Sequence, residues 1–407
     1  MRSADAHAIL ANHDPALPGL PDLLDADALG ERLGAATTRS YLRYKPGTSA
    51  TALIEVDGRS AIAHAWRPGA GDKRAKAVKH ARPEDVLLDA PTDGLLVVDA
   101  LADRHLPALR LLVRDGEVAG WLTAAGHPVS PDAVPETLAH KPARRWVGRL
   151  PLRQEGRDVV LRAYSATGYE TAVAAHGLID PARCPSLRPP GVLATHRRRL
   201  IALEHLPGRV LDTSVTAAVL ERLGACLGEL HASGPVGEGT VGHPATTKGL
   251  DALAPVLGDQ VDEAEEIHAE ARAALRPGRR SVVHGDFSLD QVVADGHALG
   301  VIDLDRVRLG TPADDLASLL AEAAVTALPT RGGDGAAALV DRLRAPFVTG
   351  HAATWPAGLS DDLGPRIALE LLARGGEPFR GGGDDWPRVT RDLIDLAGTL
   401  ATTRIAA

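Results

Sequence analysis

Residues 281–317 read SVVHGDFSLDQVVADGHALGVIDLDRVRLGTPADDLA. A short apolar strand leads into His284-Gly285-Asp286, and a carboxylate held in that turn can accept the proton of an attacking hydroxyl. Gln291, on the same loop, carries an amide oxygen able to reach a metal ion. A second apolar strand, Leu299 to Ile302, delivers Asp303, a carboxylate suited to holding magnesium against nucleotide phosphates. Base, amide ligand and metal-binding carboxylate, in that order, are the groups that phosphoryl transfer requires. Its transition state asks for positioning and charge neutralisation, with little covalent help from the protein.

The composition sets the context. With 407 residues, 44% hydrophobic and 24% charged, the chain is long enough for two or three packed units of ordinary globular character. Aromatic residues make up only 3%, so Leu, Val and Ala must fill the core. A formal net charge of −8 and the lack of a long basic run argue against nucleic acid or an anionic membrane as partner. The two cysteines, Cys184 and Cys226, build neither a zinc cluster nor a disulfide framework. No apolar stretch has the length of a signal or a membrane span, so a soluble cytoplasmic protein is expected.

The quoted segment resembles the aminoglycoside phosphotransferase and choline kinase family, small-molecule relatives of the protein kinases. His284-Gly285-Asp286, Ile302-Asp303 and the stretch from Gly310 to Ala317, GTPADDLA, carry the resemblance in order. It implies an α+β, protein-kinase-like two-lobed fold and an ATP-dependent kinase, with GTP an open alternative, using Mg2+ to phosphorylate a small hydroxyl acceptor. It makes Asp286 the catalytic residue, Gln291 and Asp303 the metal ligands, and Asp315 the aspartate that caps the catalytic-loop backbone. His284 then braces the loop and is neither acid nor base. Gln291 departs from the family's usual Asn by one methylene, a feature similar to the maltokinase and glucosamine kinase branches.

Upstream, Arg145 to Leu150 and Asp158 to Tyr164 read as strands joined by a turn at 154–157, followed by a helix from Tyr169 to Gly177. Leu200 to Leu206 is a third strand, ending at Pro207-Gly208. Leu211 to Ala232 and Asp259 to Leu275 have helical periodicity, and Leu227 to His231 matches the family's L-x-x-L-H. Beyond Ala317 the chain is expected to be helical, broken by glycine-rich loops at Arg331 to Gly335 and Gly381 to Asp385. These elements divide the chain into a cap over 1–135, a nucleotide-binding small lobe over 136–207 and a catalytic lobe over 208–407.

The cap contains an echo of the small lobe. Lys45-Pro46-Gly47 followed by DGRSAIAHAW at 57–66 parallels Lys141-Pro142-Ala143 followed by EGRDVVLRAY at 155–164. Two β-hairpins with shared turn chemistry, or a repeat of the small-lobe hairpin unit, both account for it.

For the nucleotide, strand 158–164 offers Arg162 where the family usually has Lys, with Glu170 as its partner and Lys141 as an alternative phosphate ligand. No glycine-rich phosphate loop is present, and the turn from Lys141 to Arg145 is basic instead. The backbone from Glu204 to Leu206 stands at the family's adenine-binding hinge. On the acceptor side, Asp305, Glu370, Glu377, Asp384 and Asp385 are acidic residues suited to an amino sugar, and Trp386 could stack on a sugar ring. Each also has an ordinary reading, as an exposed charge or a core anchor. A sugar, amino sugar or aminocyclitol kinase is the leading reading. An antibiotic-resistance kinase and a pseudokinase that binds nucleotide without turnover are the alternatives.

Overall fold

The computed structural model describes residues 1–69, 71–112, 116–130, 132–152, 158–234, 246–355, 357–359 and 361–403, the side chains of 71, 72 and 181 excepted. The expected turn at 154–157 lies outside these residues. The chain forms two compact units: Met1–Tyr169 with Gly191–His205 and Pro378–Asp384, and Glu170–Pro190 with Leu206–Glu377 and Asp385–Ala407.

The first unit holds two antiparallel sheets. Strands β1 (Thr37–Lys45), β2 (Ser49–Val56), β3 (Arg59–Trp66), β4 (Val86–Ala90) and β5 (Leu95–Asp99) lie in the order β1-β2-β3-β5-β4. Strands β6 (Glu136–Lys141), β7 (Arg145–Pro151), β8 (Asp158–Tyr164), β9 (Val192–His196) and β10 (Leu200–Glu204) lie in the order β6-β7-β8-β10-β9. A helix follows the third strand in each case, Gly71–His80 and Ala166–His176. Alternating burial along β7 turns Trp146, Gly148 and Leu150 inward, against Leu106, Leu109, Leu122 and Leu161. Ile62, Trp66, Leu96 and Val98 form the corresponding core of the first sheet.

The second unit is mainly helical. The helix Ala217–Ser233 starts six residues later than its periodicity suggests. Asp212 there closes a turn by accepting the Ser214 amide at 2.7 Å, and Thr216 caps the helix through Val219 N. The helical region is broken at the glycines 332, 333 and 335, as expected, by a sharp kink and not by a long loop. Two helices within Pro312–Thr354 meet at Gly332, whose backbone (φ 65°, ψ −175°) is far from helical, and the chain turns back there so that Asp315 and His351 both reach His231.

Two glycines let Ala217–Ser233 and Pro312–Thr354 approach closely. A Cβ at Gly350 would lie 1.8 Å from Glu221 O, and one at Gly224 2.1 Å from Phe347 O. This approach joins His231 Nδ1 to His351 Nε2 at 2.9 Å and points His231 Nε2 at Asp315. Short strands complete the unit: β11 (Arg209–Val210), β12 (Ser281–Val283), β13 (Val292–Asp295), β14 (Ala298–Val301) and β15 (Arg308–Gly310). β13 and β14 form a hairpin with β11 on its edge, and β12 pairs with β15. No helix among the described residues is long and apolar enough to cross a membrane. Two lobes of sheet and helix, in this order, make the protein-kinase-like architecture that the sequence led us to expect.

Two outcomes follow. Gly350→Ala should lower stability by about 1–3 kcal/mol, because backbone on the facing helix cannot yield as a side chain end can; denaturant unfolding measures it. Burial lowers the pKa of His7 and His64 to about 4 and, with help from His231, that of His351 to about 3. The unfolded chain therefore binds more protons between those values and about 6.5. Thermal stability should be full above pH 6.5 and fall steadily as the pH drops toward 4, and a flat profile over that window would contradict these assignments.

Candidate active site

The catalytic-loop segment sits between β12 and the hairpin β13–β14. Asp315, at 0% exposure, accepts the amides of His284 (2.7 Å) and Gly285 (2.8 Å) on its two oxygens, and His231 Nε2 lies 3.1 Å away. Burial alone would raise its pKa, but the hydrogen bond and charge of His231 and the Gly285 amide outweigh it and hold the carboxyl below the usual range. His284, also fully buried, donates from Nε2 to Ile302 O at 2.9 Å, tying the loop to the end of β14. Gly285 has φ 82°, and a Cβ there would meet Arg306 O at 2.3 Å, so the turn needs glycine.

The loop presents Asp286, whose side chain is 30% exposed. Arg374 Nη2 donates to its Oδ1 at 3.0 Å, and Arg306 Nη1 lies 3.2 Å from its Oδ2. Arg374 is 6% exposed and also contacts Glu370 Oε2 (2.5 Å), Ser318 Oγ (3.0 Å) and Glu322 Oε2 (3.5 Å). Its burial would favour loss of the proton, yet Glu370, Asp286 and the other carboxylates raise its pKa above the usual arginine value. The same burial raises the pKa of Glu322. Arg374 thus orients Asp286 from inside the helix Leu363–Arg374. The sequence reading missed it, although a Glu and an Arg one turn apart in the apolar run LGPRIALELLAR are a sign of a buried pair.

Gln291 ends a short turn, Leu289–Gln291, and its carbonyl accepts the Ile302 amide at 2.9 Å. The hairpin register, with Val292 opposite Val301, therefore sets Gln291 across from Ile302, next to Asp303. Asp303 has φ 64° and ψ 51°, a left-handed conformation uncommon for a non-glycine residue. Gln291 Oε1 is buried without a hydrogen-bond partner among the described residues. A buried amide oxygen without a partner suits Mg2+, which takes one or two protein oxygens and keeps waters and phosphate oxygens for the rest. Among the described residues no group of three or more His, Cys, Asp and Glu gathers as a closed metal cage would need.

The remaining candidates fall into three groups. On the nucleotide side, Arg162 is 4% exposed on β8 with its guanidinium 5.8 Å from the Tyr164 ring, Lys141 is exposed at the end of β6, and Glu204 ends β10. Glu170 is exposed on Ala166–His176, and the Leu206 side chain is 8% exposed, with its Cδ1 2.6 Å from where a Cβ on Gly300 would stand. On the acceptor side, Asp305 is half-buried in the turn Leu304–Arg306, Glu377 is exposed, and Asp385 is exposed beside Arg388 (3.6 Å). Two expectations are corrected. Glu370 is engaged by Arg374 and takes no exposed acceptor position, and Trp386, at 1% exposure, is a core side chain with no open face for a sugar.

Arg374→Met should leave Glu370 and Asp286 without their shared cation, costing about 3–5 kcal/mol of stability and most of the turnover. Arg374→Lys, which keeps the charge but not the fork, should recover stability better than turnover.

A family model described as the Phosphotransferase enzyme family matches residues 138–357. No curated protein matches the chain. Solved structures similar to it include a choline/ethanolamine kinase family protein from Mesorhizobium loti, at 15% identity and TM-score 0.48 over 72% of this chain and 93% of that one. A macrolide 2'-phosphotransferase from Brachybacterium faecium has 16% identity and TM-score 0.41 over 68% and 96%. An ethanolamine kinase from Plasmodium vivax has 12% identity and TM-score 0.45 over 66% and 83%.

Proposed function

Because this chain belongs to the Phosphotransferase enzyme family, we propose that it moves the γ-phosphoryl group of ATP onto a hydroxyl of a small polar acceptor, a sugar, amino sugar or aminocyclitol. The observation that supports this reading is the loop itself: a backbone capped at Asp315 presents Asp286, and the hairpin that follows is flanked by Gln291, whose Oε1 is orphaned, and Asp303.

Asp286 orients the acceptor. An ionised carboxylate has about four lone-pair sites, so the bonds to Arg374 and Arg306 leave room for a hydroxyl donor. Arg306, with a side chain 61% exposed, is the partner that yields on the open side, while buried Arg374 keeps the carboxylate aimed. As the acceptor oxygen bonds to the γ-phosphorus, the bond to the bridging oxygen breaks and ADP leaves. The hydroxyl proton passes to Asp286 and from there to solvent. Gln291 Oε1 and Asp303 would hold magnesium, which when bound neutralises charge on the phosphates. Arg162, with Lys141 from the basic turn, steadies the nucleotide tail, and the backbone from Glu204 to Leu206 takes the base. Glu170 is the charge partner for Arg162 in this scheme. Asp305, Glu377 and Asp385 are the acidic residues left for a cationic or hydroxylated acceptor.

Magnesium-dependent ATP consumption across sugars, amino sugars, aminoglycosides and choline tests the proposal. Asp286→Ala should abolish acceptor-dependent turnover and leave nucleotide affinity within about threefold. Asp303→Ala should lose both turnover and the magnesium dependence of nucleotide binding. Wild-type rates in either variant would rule the site out.

A further inference from the structure

The cap and the small lobe agree in more than their strand order. Asp14-Pro15-Ala16-Leu17-Pro18-Gly19-Leu20 and Asp103-Arg104-His105-Leu106-Pro107-Ala108-Leu109 share the pattern D-x-x-L-P-x-L. Both fold alike: the Leu17 and Leu106 amides each reach the aspartate carbonyl at 3.1 Å. Two helices follow in each, Leu20–Leu24 and Ala26–Leu33 in the first, Leu109–Leu112 and Glu117–Ala124 in the second.

The aspartates then do the same work. Asp14 Oδ2 accepts Gly47 N at 2.7 Å in the β1–β2 turn, and Asp103 Oδ2 accepts Ala143 N at 2.6 Å in the β6–β7 turn. Gly47 and Ala143 have φ of 63° and 61°. At the far end, Trp66 N reaches Gly94 O at 2.9 Å and Tyr164 N reaches Arg199 O at 3.0 Å, with φ of 65° at Gly94 and 64° at Arg199. The central strands share a register: Ala65 opposite Leu95 and Ala61 opposite Asp99 correspond to Ala163 opposite Leu200 and Val159 opposite Glu204. Shared turn chemistry accounts for one hairpin. It does not account for helices, caps, left-handed residues and register all recurring in order.

The copies part where nucleotide would bind. His64 occupies the place of Arg162, opposite Leu96 as Arg162 is opposite Ile201. It is stacked on Trp66 (4.8 Å between centroids, 14° between planes) and within 3.1 Å of Thr51 Oγ1. At the hinge, Asp99 Oδ1 accepts the Leu101 amide at 2.9 Å, whereas its counterpart Glu204 turns its carboxylate to Gly191 N at 3.4 Å. The amide corresponding to Leu206, which the proposed function assigns to the base, is thus closed by the first copy's own side chain. A different occupant lies against this copy. Tyr44, whose hydroxyl donates to Asp14 at 2.8 Å, has its ring 6.4 Å from that of Phe379, and His7 has its ring 6.2 Å away. Ser3 N donates to Asp384 O at 2.9 Å, and Phe379 is 3% exposed.

We propose that residues 14–99 are a second copy of the nucleotide module at 103–204 that has given up nucleotide and instead holds the segment Pro378–Asp384. That segment lies between Glu377 and Asp385, so the copy anchors a stretch assigned to the acceptor side. The nucleotide half of this inference rests on the reading under Proposed function; the anchoring half does not.

Hydrogen–deuterium exchange on the full-length protein, with and without Mg2+ and the non-hydrolysable analogue AMP-PNP, tests both halves. The expected result is slowed exchange over 200–206 on adding nucleotide, with 51–66 and 95–101 unchanged and Leu101 slow throughout. Tyr44→Ala and Phe379→Ala should each speed exchange over 378–384 at least fivefold and leave the nucleotide footprint alone. Tyr44→Phe, which keeps the ring, should preserve that protection and guards against a folding artefact. Nucleotide protection within 51–101, or unchanged exchange over 378–384 in both alanine variants, would overturn the proposal. A nucleotide that slows exchange nowhere would contradict the proposed function instead, and the 378–384 response together with Leu101 would still decide this one.

Discussion

The second unit depends on one buried carboxylate. Asp315 accepts two consecutive amides of the catalytic loop and faces His231, which in turn meets His351. Remove the acceptor and two amides lose their partners inside a dry core, where each unmade bond costs about 1–3 kcal/mol. The loop would have to find another path, and Asp286 would move with it. The glycine contacts at 224 and 350 matter for the same reason, since they bring His231 within reach of His351. Helix packing, a polar relay and loop geometry therefore form a single chain of cause.

Around Asp286 the electrostatics show a division of labour. Arg374, buried and surrounded by carboxylates, is a fixed charge that aims the Asp286 carboxylate. Arg306, on the exposed side, shares that group without enclosing it. A carboxylate so held loses less orientational freedom when it engages an acceptor, which is where such a site gains its advantage. Gln291 and Asp303 are positioned differently, by a hairpin register that joins the Gln291 carbonyl to the Ile302 amide, one residue before Asp303.

Much of this was legible in the residues. Asp315 was read as the cap of the loop backbone, and its carboxylate does accept the His284 and Gly285 amides. Strand β8 was read with the bounds it has, because alternating apolar residues end at Tyr164. What escaped was tertiary. Arg374 lies on a helix far along the chain, and no local pattern says that its fork meets Asp286. Glu370 reads as a surface acid until its partner's burial is known. The glycines at 332, 333 and 335 did announce the break between two helices, because a residue at φ 65° and ψ −175° is a conformation that glycine adopts without cost. The second copy was visible only at its hairpin; the matching aspartates, Asp14 and Asp103, declare themselves through the turns they cap.

The most direct measurement is magnesium-dependent ATP turnover in Asp315→Asn, compared with its unfolding free energy. An amide keeps the shape of the carboxylate but gives up its charge and one of its two strong acceptors. Turnover should fall by at least a hundredfold while the protein remains folded and the Asp286 loop exchanges its amides faster. Wild-type turnover in a folded Asp315→Asn protein would contradict this, because the loop would then owe its geometry to something else.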